Sequence, residues 1–404
     1  MRVLHVITGL AAGGAEHQLR LLLRYSACES EVVALTNPGP VADAIRGDGV
    51  PVHVLGMRGN RDLAALPRLV GLIRAGRFDI VHTHLYRACV YGRIAARLAG
   101  VRHVVATEHS LGDGLIEGRR TTRGVRALYR AAERFAGGPT IAVSHAVQRR
   151  LIGWGVRPDR IRVIPNGIDA AELAFEPALR RAFRARHGIA PDAPVIGGLG
   201  RLEPTKRFDV LIDAVRDLPG AVLLLVGDGS ARSALQARAR DAGVVDRVVF
   251  AGAQPHARDA LCAMDILASP SEQETFGLAV LEGLAAGLPV LYTTCPPLDD
   301  QAKPPHATKL KADPALFRDA LAEELSTLDT STEPQRRHPV PMAATTHDIK
   351  ALAKTLDALY ADLKRNKAFG PGRPRRDEAS PPRASAPGRK PAHDEAQAAT
   401  GERT

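Results

Sequence analysis

Short runs rich in Val, Ile and Leu alternate with stretches of helical spacing along most of this chain, and no other feature constrains its fold as much. Strands are expected over residues 2–8, 31–35, 51–55, 79–83, 101–107, 140–143 and 162–165, with helical patterns at 15–24, 61–75, 88–98 and 125–136. The alternation pauses near Asn166, where a charged helical stretch, 176–187, leads to Gly188 and Pro191. It resumes with strands at 194–200, 221–226, 247–250, 265–268 and 289–292, and helices at 208–217, 231–242 and 277–286. Such alternation gives parallel sheets covered on both faces. Two series predict an α/β fold of two Rossmann-like, doubly wound domains facing across a cleft. Ligands of these sheets sit at the carboxyl ends of the strands.

The expected division is an N-terminal domain over 1–170, a linker over 171–192, a second domain over 193–345 and an amphipathic closing helix over 346–365 that packs back on the first domain. Between Cys295 and Met342 the alternation weakens, and paired prolines surround one expected helix, 314–328. From 366 to 404 Pro, Arg, Gly, Ala and Ser replace bulky apolar residues, and this tail is expected to be disordered.

A net charge of +11 raises nucleic acid as a partner, but aromatic residues make up only 4% and there is no zinc-finger or base-stacking pattern. Nucleic acid is set aside. The charge suits acidic small ligands and anionic membrane surfaces. Cys28, Cys89, Cys262 and Cys295 lie far apart, which is neither a disulfide framework nor a zinc site. No apolar run approaches the ~20 residues needed to cross a bilayer. The expected location is the cytoplasm, free or peripheral on the inner face of the membrane. Arg119, Arg123, Arg126, Arg130 and Arg134 fall on one arc of a helix, with Val125, Leu128, Ala132 and Phe135 opposite. That pattern fits the charged outer face of a packed helix first, and alternatively a helix lying on an anionic membrane.

The chemistry concentrates in Ser269-Pro-Ser-Glu-Gln-Glu-Thr-Phe-Gly-Leu-Ala-Val-Leu-Glu282, which reads as strand, turn and helix. Free N–H groups of Phe276, Gly277 and Leu278 would face an anion, and Gly277 lets the backbone approach it closely. Glu274 just before the helix and Glu282 inside it could accept hydrogen bonds from hydroxyls. Amides for phosphate beside carboxylates for hydroxyls suit a sugar carried on a diphosphate. Upstream, Gly200-Arg201-Leu-Glu-Pro-Thr-Lys206 sets two cations at a strand tip, a planar fork and a compact charge for phosphate oxygens. Gly13-Gly14-Ala-Glu16 offers a tight turn between the first strand and helix.

Glu274-Thr-Phe-Gly-Leu-Ala-Val-Leu-Glu282 resembles the paired-glutamate motif of retaining, two-domain (GT-B) glycosyltransferases, particularly family 4. Gly200-Arg201-Leu…Lys206 resembles that family's donor-phosphate motif, Phe250-Ala-Gly252 its nucleobase-side strand end, and Val163-Ile-Pro-Asn166-Gly167 its hinge. The resemblance covers most of 1–294 and the closing helix, and lapses over 295–342. It implies Glu282 on the ribose, Glu274 with the Phe276–Leu278 backbone on the sugar, and Arg201 and Lys206 on the diphosphate. Gly14 and Gly252 would border the donor, and His109 would contact the transferred sugar. The implied partners are a nucleotide-sugar donor and a saccharide or lipid-linked acceptor. The implied course is front-face, with the departing phosphate drawing the acceptor's proton. Neither cofactor nor metal is expected: no two aspartates stand two residues apart, and His82-Thr-His84 lacks a carboxylate partner. A sugar-nucleotide epimerase or hydrolase, and a non-catalytic sugar-nucleotide binder, fit the same layout.

Overall fold

A computed structural model describes residues 1–365 except 12, 60–61, 113, 118, 300–303 and 329–336. The tail expected to be disordered, 366–404, lies outside the described residues. Fifteen strands are described: β1 Arg2–Ile7, β2 Glu29–Ala34, β3 Val52–Val54, β4 Ile80–His84, β5 His103–Glu108, β6 Leu115–Ile116, β7 Arg119–Arg120, β8 Thr140–Ala142, β9 Ile161–Val163, β10 Val195–Leu199, β11 Val222–Val226, β12 Val248–Gly252, β13 Ile266–Ser269, β14 Val290–Tyr292 and β15 Ala307–Lys309. They form a seven-stranded sheet in the order β3-β2-β1-β4-β5-β8-β9, a six-stranded sheet in the order β12-β11-β10-β13-β14-β15, and the small antiparallel hairpin β6–β7. All pairings in the two large sheets are parallel. This is the doubly wound pair the alternation predicts.

Strand order reverses between β1 and β4 in the first sheet and between β10 and β13 in the second. At such switch points the connections leave to opposite faces and a crevice opens at the carboxyl ends. The Gly13-Gly14 turn follows β1, Gly200-Arg201 follows β10, and Glu274 follows β13. Topology therefore brings the predicted motifs to the two crevices.

Burial on both faces explains the runs of branched residues: Leu223, Leu224 and Leu225 of β11 are fully buried. Phe208, Leu211 and Val215 cover one face of the second sheet with Phe317 and Leu321, while Val280, Leu281 and Leu284 cover the other. The stretch 295–342, expected to be irregular, adds an unforeseen sixth parallel strand, β15, and the helix Pro314–Thr327. The closing helix, Ile349–Lys364, lays Leu356, Tyr360 and Leu363 against Val3, Leu22, Ile80 and Ile141 of the first domain.

Two chain crossings join the halves. Ile168 N–H donates to His347 O (2.7 Å), and Ile349 N–H returns to Ile168 O (3.0 Å). A Cβ on Gly167 would stand 2.6 Å from Ile349 Cα, so only glycine lets the two strands of the hinge touch. Beside it, the helix Pro177–Arg186 sends Arg180 and Arg184 to opposite oxygens of Asp265, each at 2.9 Å. Asp265 also accepts from Val195 N–H (2.9 Å), and all three side chains are at most 2% exposed.

The helix Arg123–Ala136 corrects one expectation. It buries Tyr129, Ala132, Glu133 and Ala136, whereas Leu128 and Phe135, expected opposite the arginines, are 49% and 52% exposed. The inward stripe is centred on Tyr129, whose ring lies 5.0 Å from the buried Arg93 guanidinium. That contact rotates Leu128 and Phe135 out to solvent, beside exposed Arg123, Arg126 and Arg134.

Candidate active site

A cleft of about 1390 Å³ is lined from both sheets, by residues of the Gly13–Arg24 and 109–117 segments on one wall and of the 199–206, 253–259 and 273–282 segments on the other. It exceeds the volume typical of a single small-ligand pocket and can hold two substrates. Arg201, Lys206, His109, Gly14, Glu274, Phe276, Gly277, Leu278 and Glu282 all line it. Gly252 does not. It adopts φ 71° and accepts from Gly227 N–H (2.9 Å), turning the chain so that lining starts at Ala253.

Two helix starts meet in this gap. The helix Leu278–Ala285 begins at Gly277 (φ 95°), and the helix Gly14–Tyr25 begins at the double glycine. A Cβ on Gly14 would come within 3.4 Å of Leu278 Cδ1, so the two N-termini approach each other across the cleft. Orphan amides and helix dipoles from both walls then point at one place. Arg201 lies exposed in the cleft beside it. Phe276 contributes its backbone only, because its ring is 3% exposed and packs edge-on to His347.

Lys206 and Glu274, 68 residues apart, form an ion pair at 2.5 Å. A second tie, Arg207 to Glu272 at 2.9 Å, binds the same two loops across the switch point. Expected to hold phosphate and sugar separately, Lys206 and Glu274 hold each other in the free protein. Thr275 hydroxyl donates to His109 O (2.6 Å), pinning the cleft floor between the domains.

Glu282 is half-buried on the cleft wall. No described residue bonds or pairs with its carboxylate, and burial pushes its pKa up to about 7. A carboxylate in that setting gains from hydroxyl donors supplied by a ligand. His109 is 8% exposed, and burial lowers its pKa to about 4, so the ring is neutral at physiological pH.

Two carboxylates that burial raises carried no expected role, Glu16 behind the double-glycine turn and Glu117 in the cleft lining. Glu16 folds back over Gly13, where a Cβ would stand 2.4 Å from Oε2. Burial drives its pKa up to about 7 against the pull of its own backbone amide and of Arg201. Glu117 sits at φ 48°, accepts from Tyr86 N–H (2.8 Å), and is also raised by burial. Glu16 follows the double glycine and was legible as a neighbour of the motif, but nothing in the pattern around Glu117 marked it.

His5, His82 and His84 bring ring nitrogens within 4.8 Å of one another, a spacing that could surround a metal ion. Those of His82 face the Tyr360 and Thr107 hydroxyls at 2.5 and 2.7 Å. Those of His84 face His5 and His109 at 3.0 and 3.2 Å. Hydrogen bonds within the protein account for these nitrogens.

The parallel-sheet pair thus brings helix starts, cations and carboxylates together at its facing switch points. Residues 12–172 match the family model described as Glycosyltransferase Family 4, and 180–339 match Glycosyl transferases group 1. The chain belongs to this glycosyltransferase family. It is 31% identical over 273 residues to a D-inositol 3-phosphate glycosyltransferase of Acidothermus cellulolyticus, covering 63% of this chain and 59% of that protein. It is 30% identical over 264 residues to the Escherichia coli UDP-Gal:alpha-D-GlcNAc-diphosphoundecaprenol alpha-1,3-galactosyltransferase, covering 62% and 67%. The matched part thus spans about three-fifths of the first of these relatives. In fold it is similar to Anabaena Alr3699/HepE in complex with UDP and glucose (TM-score 0.75, 21% identity, 89% of this chain and 99% of that one). It is likewise similar to WaaG, a glycosyltransferase involved in lipopolysaccharide biosynthesis (TM-score 0.66, 18% identity, 90% and 100%).

Proposed function

We propose that this chain transfers a sugar, with retention, from a UDP- or GDP-linked donor to an acceptor hydroxyl in cell-surface polysaccharide or glycolipid assembly. The observation that carries this reading is the convergence of two helix starts with Arg201 and Lys206 on one point between the domains. A diphosphate there meets amides from both walls. Glu282 takes the ribose hydroxyls, and His109 takes a hydroxyl of the sugar. On binding, Lys206 exchanges Glu274 for a phosphate oxygen, and the freed Glu274 carboxylate accepts from the sugar hydroxyls. The bond between the anomeric carbon and the diphosphate oxygen breaks. The acceptor oxygen bonds to the same face of that carbon, and the departing phosphate oxygen takes the acceptor's proton. Preorganised positive charge on the leaving group is the main catalytic contribution. In this proposal no metal takes part, and the cations and helix starts neutralise the diphosphate. Incubation with labelled UDP-, GDP- and ADP-sugars, with and without acceptor extracts, tests the reading. Consumption of donor without any acceptor would mark a hydrolase or epimerase, and binding without consumption a sensor.

Ionised Glu282 is the better acceptor of ribose hydroxyls, so binding releases a proton wherever the free carboxyl is still protonated. Affinity for nucleoside diphosphate should therefore rise by up to about tenfold per pH unit below pH 7 and level off above it. Calorimetry on wild type and Glu282→Gln separates this from the phosphate's own titration, which both proteins share. Equal slopes in the two would remove the ribose assignment.

The helix Arg123–Ala136 supports a lipid-linked acceptor. No described helix is long and apolar enough to cross a membrane, but exposed Leu128 and Phe135 lie beside a basic edge, the composition of an interfacial helix. Sedimentation with anionic vesicles should be several-fold greater than with neutral ones, and a Leu128→Ser, Phe135→Ser double variant should lose it. Equal binding to both vesicle types would remove the membrane proposal.

A further inference from the structure

Three histidines stand behind the cleft with no part in the proposed reaction. His5 on β1 and His82 and His84 on β4 are at most 2% exposed, and the register of the parallel pair sets His5 beside His82. His5 Nδ1 lies 3.0 Å from His84 Nε2, and His84 Nδ1 lies 3.2 Å from His109 Nε2. The rings stack with centroids 5.3 and 5.5 Å apart and interplanar angles of 24° and 28°. The line runs from the core to the cleft wall. At its end His109 lines the cleft beside the Asn166 side chain, with which its ring interacts, and His109 Nδ1 is buried without a well-formed hydrogen bond to any described residue.

Burial keeps these rings neutral: His5 falls to about 3 and His109 to about 4, with His84 well below the usual histidine value. A neutral imidazole has one N–H and one lone pair. His84, bonded on both sides, must donate to one neighbour and accept from the other. If it donates to His109, the His109 proton sits on Nδ1 and faces the cleft as a donor. If it accepts from His109, Nδ1 is bare and faces the cleft as an acceptor. The rings therefore change tautomer only together. A lone histidine on the wall would exchange between tautomers, and part of its population would offer a sugar hydroxyl the wrong partner.

We propose that His84, with His5 behind it, is a positioning residue that locks His109 in one tautomer, so that Nδ1 presents a single hydrogen-bonding role to a hydroxyl in the cleft. The lock stands on the geometry of the three rings, and its effect on turnover rests on the sugar contact proposed for His109.

The test uses the full chain with histidine-selective ¹⁵N labelling at pH 7.5, where long-range ¹⁵N–¹H correlation distinguishes the two neutral tautomers. His109 is assigned through His109→Gln. Wild type should show His109 in one tautomer, of either kind, and His84→Leu should show a mixture. His84→Gln keeps a donor and an acceptor on one amide and should return His109 to one tautomer. In the same proteins kcat should fall about tenfold in His84→Leu, the worth of one neutral hydrogen bond, and recover in His84→Gln. Affinity for free nucleoside diphosphate should not move. A mixture in wild type overturns the proposal, and this measurement needs no variant of His84 to fold. So does an unmixed His109 in His84→Leu. A lock with unchanged turnover in His84→Leu would instead leave the lock standing and remove His109 from the sugar.

Discussion

Replacing Asp265 with alanine should cost this protein about 3–5 kcal/mol of stability, the toll of breaking a buried ion pair by removing one partner. The upper half of that range is expected, because one carboxylate serves two arginines. Arg180 and Arg184 each place a guanidinium nitrogen 2.9 Å from a different oxygen, at 2% exposure or less. Carbonyl oxygens of Cys262, Ala263 and Met264 surround Arg180, and those of Ala190, Pro191 and Ala193 surround Arg184. These oxygens hold the guanidinium groups in place but carry no full charge to balance them. Arg337 lies in the same pocket, donates to Leu261, Cys262 and Met264 carbonyls, and is itself lowered to about 10 by burial. Removing Asp265 takes the shared carboxylate away from Arg180 and Arg184 and from beside the half-buried Arg337. Urea denaturation of the full chain measures it, and Asp265→Asn, which keeps an acceptor for Val195 N–H and one arginine, should fall between. A loss under about 1 kcal/mol in Asp265→Ala would mean that the surrounding carbonyls suffice. Nucleoside diphosphate should raise the midpoint of each variant that still folds its second domain, because a ligand of the native state stabilises it by mass action.

Glu274 and Glu282 should fail in different ways. Glu282→Ala is expected to weaken nucleoside diphosphate about ten- to a hundredfold, the loss of a charged hydrogen bond worth about 1.5–3 kcal/mol. The same change should raise the thermal midpoint of the free protein at pH 8. The folded-state pKa of about 7 lies above the ordinary carboxyl value of 4.5, so ionisation destabilises the native state as pH rises from 4.5 to 7 and that cost remains above 7. Glu274→Ala should instead abolish most turnover while nucleotide affinity holds or improves. The ion pair is the reason: without Glu274, the Lys206 ammonium is released from its 2.5 Å partner and is free for phosphate. Calorimetry with the nucleoside diphosphate, beside turnover of the intact donor, measures both. Equal loss of nucleotide affinity in the two variants would show that the roles are not divided as proposed, and full turnover in both would remove the glutamates from the reaction.

Much of this was legible along the chain. Parallel strands buried on both faces must be apolar throughout, so β1, β4, β10, β11 and β13 announced themselves, and Gly287 marked a helix end where φ is 75°. The glycines, cations and glutamates of the cleft were legible too, because each follows a strand directly and topology carries strand ends to the crevice. The edge strand β15 was not, since Ala307, Thr308 and Lys309 are partly or wholly exposed and show no apolar run. The inward side of the helix Arg123–Ala136 was misjudged at Leu128 and Phe135, because the stripe is chosen by a neighbour, Arg93, and not by helical spacing. Partnerships across the fold belong to tertiary structure alone. Lys206 finds Glu274, Arg180 and Arg184 find Asp265, and His5 on β1 and His84 on β4 align with His109 just past the end of β5. A side chain's residue type travels with the local sequence, but its partner is set by strand order and register, which depend on the whole sheet closing at once.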